Sequence, residues 1–283
     1  MKRRNLIKAA VAGSVAVTFA KAAEEDAGPF EIIDSNVSLF HWPFRRLPLD
    51  QTGKLVTRMG ELGVSKMLAG SFEGLIHRDL ASVNQRLSEE CAKYKELIPV
   101  GTVNPEMTGW EVVLNQCAGK FGMPGVRLFP NYHGYSLESA SFQKLLKLSE
   151  RLGLFVQIAS AMEDVRMQHP SVKVSDVDLS PLADAVKNAP KVRIQILNWK
   201  PRGLAFEALR KLPQIRFDTA RVDGTDGIAK LVEAVGSERV LFSSHAPFLI
   251  PEAALIRTLH ESRLGENDLS LLVQGNAEAL LEG

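Results

Sequence analysis

Residues 32–40 read IIDSNVSLF. The stretch opens on two β-branched residues, Ile32 and Ile33, and closes on Leu39 and Phe40. Between them lie Asp34, then Asn36 and Ser38, spaced two apart. In an extended chain alternate side chains share a face, so Asn36 and Ser38 point the same way. A strand that is apolar elsewhere and polar on one inner face is expected where a sheet surrounds a site.

The same grammar repeats downstream. Short β-rich runs alternate with longer amphipathic ones. Strands are expected at Phe30–Leu39, Val64–Ala69, Ile98–Val103, Gly125–Phe129, Phe155–Ala159, Val192–Leu197, Ile215–Asp218 and Val240–Ser243. Helices are expected at Gly53–Leu62, Ala81–Leu97, Trp110–Phe121, Ser141–Leu152, Leu179–Asn188, Ala205–Leu212, Ile228–Val235, Glu252–Arg263 and Leu269–Leu281. Several stop at Gly63, Gly153, Pro190, Pro213 or Gly236. Runs such as VRIQIL and LFVQIA read as strands buried on both faces, the mark of a parallel sheet. Eight such units fit an α/β fold of the closed (β/α)8 TIM-barrel type, which typically takes about 250 residues. A doubly wound sheet would show a Gly-rich phosphate loop after its first strand, and no G-x-G-x-x-G follows Ile32–Leu39.

Composition agrees with a large cored domain: 283 residues, 45% of them apolar. A net charge of +1 points to no nucleic-acid partner. Residues 1–22 read as a signal: Lys2, Arg3, Arg4 and Lys8 are basic, Ala9–Ala20 is mildly apolar, and Ala20-Lys21-Ala22 resembles a cleavage site. The run RRNLIK resembles a twin-arginine signal. Residues 23–29 then form a linker and 30–283 the barrel. Export to the periplasm or the medium is expected, with no membrane span. Cys91 and Cys117 give no disulfide framework and read as small buried side chains, with a single bridge as the alternative.

In such barrels the reacting groups stand at the C-terminal ends of the strands. Strand one supplies Asn36 and Ser38, then a loop rich in aromatics and arginines, His41 to Arg46. Strand four supplies Arg127 and the dense turn Pro130–Tyr135 with His133. Strand five supplies Gln157, Ser160 and then Asp164 with Arg166, which can pair across a turn. Strand six ends in Asn198, strand seven in Asp218, and strand eight in His245.

Four stretches together, IIDSNVSLF, GVRLFPNYHGY (125–135), LFSSHAPF (241–248) and QGNAEALL (274–281), resemble the amidohydrolase-related family, in the branch that includes decarboxylases and lactonases. The resemblance runs from about Phe30 to Leu281. It implies a metal-dependent barrel with two histidines after strand one, one after strand five or six, and an aspartate after strand eight. Here Asn36 and Ser38 stand at the first two positions. Gln157 or Ser160 and Asn198 stand at the next, and His245 stands where the aspartate belongs. Neutral amides and hydroxyls are poor zinc ligands. No metal or other cofactor is therefore expected; the alternative is one divalent ion such as zinc on His133, His245 and Asp218.

Three functions follow. The first is a metal-free hydrolase of a small carboxylate-bearing lactone or amide. There Arg127, with Arg45 or Arg46, would hold the carboxylate. His245 would act as acid or base oriented by Asp218 or Asp164. Asn36 and Asn198 would donate to the oxyanion, and Ser38, His133 and Gln157 would contact substrate. The second is an inactive binding protein on the same barrel, and the third a metallohydrolase with an unusual ligand set. A polar cleft with His245 beside a carboxylate favours the first. A mouth filled by Trp42 and Phe44 favours the second.

Overall fold

Residues 31–282 are described by a computed structural model. The expected signal, linker and Phe30 lie outside the described residues.

The strands are β1 (Ile32–Leu39), β2 (Val64–Ser71), β3 (Leu97–Pro99), β4 (Gly101–Thr102), β5 (Gly125–Leu128), β6 (Phe155–Ala159), β7 (Ile194–Leu197), β8 (Ile215–Asp218) and β9 (Val240–Leu241). All adjacent pairs are parallel. β3 and β4 are one barrel strand interrupted at Val100, whose N–H still reaches the Ala69 carbonyl at 2.8 Å. Closure comes from β1: the Ser35 N–H donates to the Phe242 carbonyl at 3.1 Å and the Ser38 N–H to the Ala246 carbonyl at 2.9 Å. Eight barrel strands alternating with helices make the expected TIM-type fold.

The helix Ala140–Arg151 shows how local sequence sets the outer layer. Ser139 caps it, accepting from the Phe142 N–H at 3.2 Å. Phe142, Leu145, Leu146 and Ser149 recur at helical spacing and form its buried face. Each large apolar side chain so enclosed contributes about 1.5–3 kcal/mol. Gly153, at φ 70°, turns the chain out of the helix into β6.

Besides boundary shifts in several strands and helices, three expected segments differ in kind or extent. The helix foreseen over Ala81–Leu97 ends at Cys91, because Leu97 is taken by pairing with Met67. The helix foreseen over Leu179–Asn188 shrinks to Leu182–Ala185 and a short 3-10 turn. The turn Pro130–Tyr135 contains one helical turn, Pro130–His133, ended by Gly134 at φ 73°. Cys91 and Cys117 are both buried and free, which removes the alternative of a bridge.

Candidate functional site

Strand register carries one polar rung across the barrel: Thr102 pairs with Arg127, Arg127 with Gln157, and Gln157 with Gln195. Their neighbours on either side are apolar and pack outward, so the polar members face the interior. Arg127 is 1% exposed. Its Nε donates to Gln157 Oε1 at 2.8 Å, Nη1 to the Val37 carbonyl at 2.9 Å and to Ser38 Oγ at 3.2 Å, and Nη2 to the Leu68 carbonyl at 3.2 Å. Gln157 spends its Nε2 on the Ser35 carbonyl and Gln195 Oε1, both at 2.8 Å. Gln195 passes the network on to Ser35 Oγ at 2.7 Å, which meets Ser243 Oγ at 2.7 Å.

A second cluster lies at the ends of β1, β7 and β8. Asn36 Nδ2 donates to Asn198 Oδ1 at 2.8 Å and to Asp218 Oδ2 at 3.1 Å. The backbone N–H of Asn198 reaches both Asp218 oxygens, at 3.1 and 3.0 Å. It does so from a left-handed conformation, φ 58°, which Asn tolerates better than most residues. Asp34 Oδ1 accepts from the backbone of Asn36 at 3.0 Å and of Ser244 at 3.1 Å, which ties β1 to the chain after β9.

Asn36, Asn198 and Asp218 thus meet directly, as do Ser38, Arg127 and Gln157, and these six and His245 are each at most 2% exposed. The expected partnership of His245 is not made. Its Nε2 meets the Met162 carbonyl at 2.9 Å, its Nδ1 has no partner, and no hydrogen bond joins it to Asp218 or Asp164. Asp164 instead pairs with Arg166. His133 sits at the rim with Nε2 2.9 Å from the Gly74 carbonyl. The strand-one arginines, expected to face substrate, are each paired with a carboxylate of the chain. Arg45 is bonded to Glu163 at 2.7 Å, and Arg46 grips Asp50 with two nitrogens.

Above this core lies an aromatic cover. Trp42, 2% exposed, is met edge-on by Phe44, Phe72, Tyr132 and Phe248, with centroids 5.1–6.4 Å away. Phe248 stacks on the His245 ring at 5.1 Å, and the Arg45 guanidinium lies 5.0 Å over Phe248. The segments after β1, β2, β5 and β9 are thus pinned together over the site.

Sequence reading missed Asp34 and Gln195 as site members. Gln195 was legible as a polar residue flanked by Ile194 and Ile196 inside VRIQIL, in phase with Gln157 on its neighbour. The role of the Met162 carbonyl was not, because any residue type supplies one.

Burial sets the charges. It pushes the Asp34 carboxyl up to about 6 and that of Asp218 up to about 7, from 3.8, and pushes His245 down to about 3 from 6.5. A raised carboxyl stabilises the fold fully below the unfolded value and loses that contribution as pH rises through the folded one. A depressed histidine acts the other way, costing stability as pH falls below 6.5. The two trends oppose each other in wild type, so single variants separate them. Asp218→Asn is expected to gain stability relative to wild type as pH rises from 4 to 8, and His245→Gln as pH falls from 7 to 4. Urea midpoints at pH 4.5, 6 and 8 test this; curves parallel to wild type would refute it.

Comparison with known proteins gives a family and a fold. Residues 63–283 match the family model described as Amidohydrolase, so β1 lies before the matched region. No curated protein matches the chain. Among solved structures, 5-carboxyvanillate decarboxylase from Novosphingobium aromaticivorans, with bound manganese and a nitrobenzoic acid, aligns at TM-score 0.70 and 14% identity, covering 91% of this chain and 98% of that one. The 2,6-dihydroxybenzoate decarboxylase from Rhizobium aligns at 0.67 and 13%, covering 89% and 99%. The dihydroxybenzoic acid decarboxylase from Polaromonas, with bound manganese and 2-nitroresorcinol, aligns at 0.67 and 14%, covering 89% and 97%.

The residues at the two strand-one positions do not fit such an ion. Manganese takes carboxylate, carbonyl, imidazole or water donors. Asn36 aims its N–H groups, not its oxygen, at Asn198 and Asp218. Ser38 Oγ is held by a guanidinium. No group of three His, Cys, Asp or Glu side chains suited to a metal occurs among the described residues.

Proposed function

The chain belongs to the amidohydrolase family, and from that premise we propose that it is a member whose reaction centre has become a closed structural core, working by binding and not by turnover. One observation carries the reading. The seven polar residues at the mouth are sealed from solvent, and the Trp42 cover lies above them. Apart from His245 Nδ1, their hydrogen bonds run to each other and to backbone, which leaves little capacity for a substrate. Absence of a metal belongs to the same proposal, supported by the donors described above. A binding role is supported by large apolar side chains exposed on the segments that follow strands: Ile76, Met167 and Ile250 are 55%, 65% and 68% exposed, and Leu204, on the first turn of the helix Gly203–Leu209, is 90% exposed. The basic start of the sequence supports export as the setting.

A metal-free hydrolase of a small carboxylate is the second reading. It is favoured by the left-handed, non-glycine backbone of Phe40, Asn198 and His245 at strand ends, since strain of this kind clusters at functional sites. It also draws on Asp218, raised to about 7, where a carboxyl can both give and take a proton.

The test is turnover. Purified protein is incubated with aromatic carboxylates, lactones and amides, with and without manganese. No product above the uncatalysed rate is expected. Saturable turnover of any of them, lost on His245→Ala or Asp218→Asn, would establish the second reading instead.

A further inference from the structure

The barrel interior holds a full positive charge at a place of consequence. Arg127 reaches the level of Ser38, one of the two strand-one positions where the family pattern has histidines. Gly70 is the register partner of Ser38 on β2. A Cβ at Gly70 would lie 2.7 Å from Arg127 Nη1 and 2.9 Å from Cζ, closer than side chains approach one another. Glycine there leaves the space that the guanidinium fills. The groups whose charge acts on Arg127 are Asp34 and Asp218, both buried on the same interior. Removing one partner from a buried set of charges leaves the others uncompensated, which costs far more than the set contributes when whole.

We propose that Arg127 is the resident cation of this barrel: its guanidinium supplies, beside the strand-one positions, the positive charge that a divalent ion would otherwise bring, and Gly70 makes room for it. A cation entering beside Ser38 would meet this charge before it met a carboxylate. The four hydrogen bonds of Arg127 go to Gln157, Ser38 and the carbonyls of Val37 and Leu68, and it acts on Asp34 and Asp218 through charge alone. The inference is independent of whether the mouth turns over a substrate, since either reading needs Asp34 and Asp218 balanced.

The experiment compares Arg127→Lys, which keeps the charge and loses the fork, with Arg127→Met, which keeps the bulk and loses the charge. Urea midpoints are measured at pH 8 for both, alone and combined with Asp218→Asn. The expected order is wild type, then Lys, then Met. The loss caused by Met is expected to shrink in the Asp218→Asn background, whereas a purely steric role would leave it unchanged. Arg127→Met as stable as Arg127→Lys, or a loss indifferent to Asp218→Asn, would overturn the proposal. If neither single variant folds, folding of Arg127→Met combined with Asp34→Asn and Asp218→Asn supports it, and failure of that triple variant overturns it. A failed turnover assay leaves these outcomes untouched.

Discussion

Trp42→Ala is expected to cost about 3–5 kcal/mol, the range for removing a fully enclosed aromatic side chain. The indole is met by four rings, Phe44, Phe72, Tyr132 and Phe248, and no smaller side chain can hold all of them apart. Its Nε1 has no hydrogen-bond partner, so the loss is one of packing and not of polar contacts. The variant is also expected to admit solvent to the mouth, because Phe248 then loses the support on which its stacking over His245 depends. Urea unfolding gives the first effect. The second is read by carbethoxylation of histidine: His245 should resist the reagent in wild type and react in the variant. A loss under 1 kcal/mol with His245 still protected would mean that the cover closes without Trp42.

Gln157→Met should be nearly as damaging despite its similar volume. It strands three groups at once: Arg127 Nε, the Ser35 carbonyl and Gln195 Oε1. An unsatisfied buried polar group costs about 1–3 kcal/mol, so the three together predict a loss of at least roughly 3 kcal/mol. The same unfolding experiment measures it. A loss below about 1 kcal/mol, the size of one ordinary hydrogen bond, would show that water reaches this rung and that the interior is open from below.

How much of this was legible in the sequence differs by residue. β6 and β8 fall where the alternation placed them, Phe155–Ala159 and Ile215–Asp218, because a short buried strand between a glycine or proline stop and a helix admits few alternatives. The helix after β2 did not end where its pattern ended, since Leu97 was claimed by β2 across the sheet, and pairing outweighs local propensity. At the mouth, IIDSNVSLF announced an inward polar face, and GVRL and FVQIA each announced one polar residue among apolar ones. Which partners those residues would choose was not written there. Asn36 turned to Asn198 and Asp218, and Arg45 to Glu163 across 118 positions of chain, where only the folded barrel brings them together. The strand-one loop could equally have been a binding rim or a plug, and its own residues do not decide; Phe72, Tyr132 and Phe248, supplied by three other loops, do.

The measurement that bears most directly on the central claim, a closed core balanced by its own arginine in place of a metal, is titration of the purified protein with manganese, with free ion followed by electron paramagnetic resonance. All added manganese is expected to stay free up to millimolar concentration, with no movement of the thermal midpoint. One equivalent bound per chain with a rising midpoint would contradict the claim.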